Sequence, residues 1–132
     1  MLVVDDNYYN IVAITSMFIQ YKIQAETATD GLEAIEMVKQ LYTEHKTTYD
    51  LIMMDFSMPV CGGSEATKSI RKFLKDFAPE LKQPFVCCLT SYNAYNFKVE
   101  AFNVGMDAFL TKPIFKSGIQ RLLTKAGLAV KR

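Results

Sequence analysis

The sequence holds no tryptophan, a single histidine, only three cysteines and, over 132 residues, almost no net charge. Fifteen Lys plus Arg against fourteen Asp plus Glu leave +1, without the clustered basic excess of a domain that binds nucleic acid directly. No apolar run approaches the ~20 residues a membrane span requires. Met1-Leu2-Val3-Val4 runs straight into Asp5-Asp6, with neither the basic start nor the cleavage site of a secretory signal. Cys61, Cys87 and Cys88 are odd in number and lack metal-ligand spacing. That usage reads as a reduced, intracellular protein. No Gly-rich phosphate loop follows the first apolar run, which disfavours a nucleotide or flavin binder. Repeats, low-complexity tracts and linkers are also lacking, so residues 1–132 read as one domain.

Half the residues are hydrophobic and 22% are charged, a balance that permits a packed core. Short apolar runs alternate with amphipathic stretches. Leu2-Val3-Val4 predicts a first strand, and Asn7 can cap a helix whose Ile11, Ile14 and Phe18 share a face. Ile23, Ala25 and Thr27 alternate as a weak second strand. Asp30-Gly31 opens a helix with Ala34, Val38, Leu41 and Tyr42 on one side. Leu51-Ile52-Met53-Met54 reads as a strand covered on both faces. After Pro59 and Gly62-Gly63, a third helix aligns Ala66, Ile70, Phe73, Leu74 and Phe77. Phe85 to Leu89 predicts a fourth strand, with Cys87 and Cys88 on opposite faces, and 94–104 a fourth, poorly patterned helix. Ala108-Phe109-Leu110 gives a fifth strand, and Phe115, Ile119, Leu122, Leu123 and Ala126 a last helix. Five strands alternating with five helices imply an α/β fold with helices on both faces of a parallel sheet. The flavodoxin-like order 2-1-3-4-5 is the common solution for such a chain.

Ligands of such sheets bind at the carboxyl ends of the strands, near the switch in strand order. Strand one ends in Asp5-Asp6, strand three in Asp55 and strand four in Thr90-Ser91, while Lys112-Pro113 follows strand five. Three carboxylates, a hydroxyl and an ammonium thus converge on one rim. The carboxylates repel one another unless a cation joins them. Oxygen ligands with no His or Cys nearby suit a hard ion such as Mg²⁺. With that ion and Lys112 the formal site charge falls to zero, and a phosphoryl group can enter. A carboxylate can then serve as the nucleophile toward phosphorus, while Lys112 and Thr90 stabilise charge on the phosphoryl oxygens.

Leu2-Val3-Val4-Asp5-Asp6-Asn7, Asp50 through Asp55, Met58-Pro59, Leu89-Thr90-Ser91, Gly105-Met106-Asp107 and Leu110-Thr111-Lys112-Pro113 stand in the order and spacing of a known family. The chain resembles the receiver domain of two-component response regulators nearly end to end. Asn10, Glu65-Ala66-Thr67 and Ile70-Arg71 make it most like the receivers of hybrid histidine kinases. The resemblance implies Asp55 as the phosphoacceptor. Asp6 would ligate Mg²⁺ directly, with Mn²⁺ a substitute, Asp5 would hold a metal-bound water, and the Ser57 carbonyl would be a further ligand. Lys112 would bind the phosphoryl group, and Pro113 would follow a cis peptide. Thr90 and Phe109 would form a switch pair that changes the face of the fourth helix, fifth strand and fifth helix. For Phe109, ordinary core packing is the competing reading. Ser57 and Tyr92 would tune dephosphorylation, with a bulky Tyr92 giving a phosphate lifetime beyond minutes. The implied partners are a histidine kinase or histidine phosphotransfer domain docking near the first helix, and a downstream protein effector. The implied location is cytoplasmic, free or tethered through a longer hybrid kinase. The chain itself would be such a kinase's fragment or a stand-alone regulator, and a monomer or a phosphorylation-dependent dimer.

Certain residues depart from the pattern or need no function. Cys61-Gly62-Gly63 stands where Met-Asp-Gly is usual, so Gly62 is expected to loosen the loop beside Asp55. Cys61 is expected at the surface without a reactive thiolate. His45 reads as a solvated helix-end residue, and Tyr95, Phe97 and Phe102 equally as contact surface or core. Two alternative functions share these features. A receiver-like binding module without phosphorylation is disfavoured by the complete site. A Mg²⁺-dependent phosphohydrolase is disfavoured because Phe56-Ser57-Met58 supplies no second aspartate as general acid.

Overall fold

The computed structural model describes residues 1–58, 60–91 and 95–128, with only the backbone of 95–97. Its elements run β1 (Leu2–Val4), α1 (Tyr8–Ile19), β2 (Glu26–Ala28), α2 (Gly31–His45), β3 (Leu51–Asp55), α3 (Gly63–Phe77), β4 (Phe85–Thr90), α4 (Tyr95–Asn103), β5 (Ala108–Thr111) and α5 (Lys116–Lys125). The five strands form one parallel sheet in the expected order, β2-β1-β3-β4-β5.

Because successive strand residues alternate sides, the sheet separates two cores. Val3, Met53, Cys87 and Leu89 meet Ile11, Ile14 and Phe18 of α1 and Ile119, Leu122 and Leu123 of α5. Val4, Met54 and Cys88 meet the apolar faces of α2 and α3 together with Ala101 of α4. The neighbours Cys87 and Cys88 therefore enter different cores, and burial pushes the Cys88 thiol up to about 12. Both sides of β1 and β3 are covered, which is why these strands read as unbroken apolar runs. Chain reversal also follows local chemistry. Asn7 Oδ1 accepts from the Tyr9 and Asn10 amides at the start of α1, satisfying donors that have no partner within the helix.

Three expectations need correction. The second strand begins at Glu26, three residues later than read, while Ile23 and Ala25 pack partly buried against the α1–α5 core outside the ladder. Edge pairing with β1 alone governs where that strand starts. Phe77 is 64% exposed at the end of α3 rather than on its buried face, stacked on Phe73 with ring centroids 5.1 Å apart. Cys61 is buried, not at the surface, and joins the core beneath α2 and α3. Burial raises its thiol pKa, with Glu65 and Asp30 adding to the effect. His45 is exposed at the end of α2, as read. Ala94, Pro59, Lys131 and Arg132, and the side chains of Tyr95 and Phe97, lie outside what is described.

Candidate functional site

β1 and β3 are adjacent and parallel, with Val4 opposite Met54, so the residues that follow both strands emerge side by side. Asp5 is fully buried, Asp55 is 3% exposed, and Asp6 faces solvent. A carboxylate oxygen from each lies within 4.8 Å of the other two. One oxygen of Asp5 accepts the Asn7 amide at 2.9 Å. Its other oxygen is buried, and its sole neighbouring donor among the described residues is the Lys112 ammonium, 3.0 Å away.

Lys112 reaches this position from the end of β5. Its amide donates to the Thr90 carbonyl at 2.7 Å, and the Lys112–Pro113 peptide is cis, as the family resemblance implied. The ammonium donates to Asp55 Oδ1 at 3.0 Å while pairing with Asp5. Burial alone pulls the lysine's pKa down, but bonds and charge from Asp5 and Asp55 outweigh it, and the net shift is upward. Asp55 also shifts upward, which for a carboxyl disfavours the charged form: burial and then the Asp5 charge push it up to about 6, against the opposing pull of Lys112, with a smaller contribution from Asp6. Two buried carboxylates share one cation, so the cluster is short of positive charge.

That shortage favours a bound cation. Three converging carboxylate oxygens, one group open to solvent and, among the described residues, no nitrogen or sulfur ligand in the group suit a hard divalent cation that keeps some of its water. The buried, poorly satisfied Asp5 oxygen is an atom such an ion would relieve.

Thr90 ends β4 beside Asp55 and is buried. Phe109 lies opposite Cys88, two residues before Thr90, so alternation puts both side chains on the α2–α3–α4 side of the sheet. Phe109 is half-buried against that core, with Lys98 Nζ 5.4 Å from its ring centre. Ser57 is exposed in the loop after Asp55, whereas Tyr92 lies outside the described residues. Thus Asp5, Asp6, Asp55 and Lys112 make one cluster, with Thr90 on the neighbouring strand and Phe109 one strand farther.

Sequence reading missed how the loop after Asp55 is held. The Gly63 amide donates to the Phe56 carbonyl at 3.0 Å, and the Gly31 amide to the Cys61 carbonyl at 3.1 Å. A Cβ on Gly63 would overlap the Asp55 carbonyl. The loop expected to be loosened by Gly62 is therefore tied at both flanks of that residue. Arg71 was likewise unplaced. Its guanidinium bonds the carbonyls of Gly105 and Pro84 and the Asp107 carboxylate, bracing α3 against the turn before β5. The paired glycines and the Arg71…Asp107 combination were the available signals.

Known proteins resemble this chain in sequence and fold. The chain is 36% identical to hybrid signal transduction histidine kinase B of Dictyostelium discoideum over 90% of its length, yet spans only 6% of that protein. It is 35% identical to the osmosensing histidine protein kinase SLN1 of Saccharomyces cerevisiae over 95% of the chain and 10% of the kinase. Among solved structures, the receiver domain of the yeast response regulator Ssk1, in complex with the histidine phosphotransfer protein Ypd1, superposes with a TM-score of 0.81 at 30% identity, covering 96% of this chain and 86% of that one. The response regulator receiver domain family matches residues 1–126, and with the 2-1-3-4-5 sheet and its acidic rim already described, the chain belongs to that family.

Proposed function

We propose that the chain is the phosphoacceptor receiver of a phosphorelay, taking a phosphoryl group from a phosphohistidine onto Asp55. The observation that carries this reading is the Lys112 ammonium held 3.0 Å from both buried carboxylates beside the exposed Asp6. An Asp55 carboxylate oxygen attacks phosphorus, the P–N bond breaks, and the imidazole leaves with the bonding pair and takes a proton. Lys112 turns from Asp55 toward the phosphoryl oxygens and stays anchored by Asp5. Asp6, Asp55 and the Ser57 carbonyl would hold Mg²⁺ or Mn²⁺, with Asp5 orienting a water on the ion. The bound ion would offset charge that develops on the phosphoryl group. Thr90 would follow the phosphoryl oxygens and let Phe109 turn in behind it, shifting a two-state balance at the α4–β5–α5 face, where a protein effector would bind. Tyr92 and Ser57 would govern how fast water removes the phosphate.

The donor surface follows from exposure around the rim. Tyr8 and Tyr9 at the start of α1 are 72% and 81% exposed, and Phe115 before α5 is 67% exposed. A helical phosphotransfer domain with an apolar patch around its histidine fits that collar, and the Ssk1–Ypd1 complex supports such a pairing. Tyr9→Ser should slow transfer from a phosphorylated histidine phosphotransfer protein by about tenfold, the loss expected for a contact worth ~1.4 kcal/mol. Labelling by a small phosphodonor, which needs no docking, should stay within about twofold. Equal slowing with both donors would place Tyr9 in the chemistry rather than in docking.

A further inference from the structure

The structure points to Gly31, far along the chain from every carboxylate of the site, as a positioning residue for the phosphoacceptor loop. The inference rests on the phosphoacceptor reading and adds a part to it. Gly31 is the first residue of α2, whose leading amides have no partner within the helix. The Asp30 side chain takes the Glu33 amide, and Glu33 reaches back to the Thr29 amide. The Gly31 amide is satisfied instead by the Cys61 carbonyl, 3.1 Å away, from the loop joining Asp55 to α3.

The approach is too close for any side chain. A Cβ on Gly31 would lie 2.5 Å from the Cys61 oxygen, 2.9 Å from Ala66 Cβ and 3.0 Å from Cys61 Sγ. The backbone of Gly31 is not in the left-handed region, so glycine is required here by space rather than by conformation. Cys61 is buried and cannot retreat into solvent.

The residue preceding Cys61 is itself strained. Val60, next to Cys61, has φ +69°, a conformation that a β-branched residue rarely adopts. Strain of that kind persists where flanking contacts fix the chain. The flanking contacts are the Gly31–Cys61 bond on one side and the Gly63–Phe56 bond on the other. Phe56 in turn donates its amide to Leu89 in β4 at 2.8 Å. The described residues on either side of position 59 are thereby fixed, Phe56 to the sheet and Cys61 to α2. Gly31 sets the outer limb of this loop, and through it the placement of the Ser57 carbonyl relative to Asp55.

Gly31→Ala should weaken Mg²⁺ binding, followed by calorimetry, about tenfold, the low end for changes in groups that orient metal ligands. Gly118→Ala is the control. It places a Cβ in α5 at 3.5 Å from Leu110, an ordinary contact, and should leave Mg²⁺ affinity within about twofold. In the wild-type protein, Mg²⁺ should slow hydrogen exchange of the Gly31 amide at least about threefold more than that of the Gly118 amide, because two linked sites stabilise each other reciprocally beyond the general gain in fold stability. This measurement decides the matter if Gly31→Ala does not fold. A folded Gly31→Ala that melts lower but binds Mg²⁺ like wild type would overturn the inference, as would a Gly31 amide indifferent to Mg²⁺. Wild-type protein that binds no Mg²⁺ would overturn the phosphoacceptor reading, and the role of Gly31 with it.

Discussion

Lys112→Met should cut phosphorylation by a small phosphodonor about 10²–10³-fold, the usual loss when one fixed donor to a developing oxyanion is removed. Methionine retains much of the apolar stem, so the change isolates the ammonium. The same substitution should destabilise the fold by about 3 kcal/mol in Mg²⁺-free buffer. It leaves Asp5, fully buried, and Asp55, with a 5% exposed side chain, without their shared cation. Added Mg²⁺ should recover more stability in the variant than in wild type, since the ion then meets carboxylates that no ammonium already neutralises. Urea titrations with and without Mg²⁺ read both effects. Equal Mg²⁺ stabilisation of the two proteins would mean that the lysine and the ion do not act on the same charges.

Asp55→Asn should have the opposite effect on stability. Burial and the charge of Asp5 lift the Asp55 carboxyl from its ordinary value of 3.8 to about 6. The folded state therefore holds this proton more tightly than the unfolded chain does. Its contribution to stability is fully present below pH 4 and is lost as pH rises through about 6. Asparagine removes the titration. At pH 7 without Mg²⁺ the variant should be more stable by about 1–2 kcal/mol, roughly half the full linkage value of 1.36 kcal/mol per pKa unit, once solvent screening at the rim is allowed for. The gap should close near pH 4, and Mg²⁺ should narrow it at pH 7 by stabilising wild type preferentially. A constant gap from pH 4 to pH 7 would assign the gain to packing instead of charge.

The parts of this molecule that were legible in the sequence are those set by short-range pattern. Leu51 to Met54 reads as a doubly covered strand because every residue is apolar, and each does enter a core. Asp5, Asp6, Asp55 and Lys112 could be grouped because a parallel sheet delivers all its carboxyl ends to one edge. Contacts between distant segments were not legible. Nothing local to Asp30-Gly31 reveals that Gly31 meets Cys61, and the proline and glycines around Cys61, which mark a loop, hid that its thiol lies under two helices. Phe77 failed for a related reason: it keeps the helical period of α3, yet the helix outruns the surface that would cover it. Glu26 was passed over as a strand start because edge pairing, not hydrophobicity, places it.

The most direct test is the intact mass of the protein after incubation with a small phosphodonor, with and without Mg²⁺, for wild type and Asp55→Asn. A single phosphoryl adduct that requires Mg²⁺ and is missing from the variant is the predicted result. Folded, Mg²⁺-bound protein with no adduct would contradict the account and favour a binding module that works without phosphorylation. Steady release of phosphate over many turnovers would contradict it in the other direction, toward a phosphohydrolase.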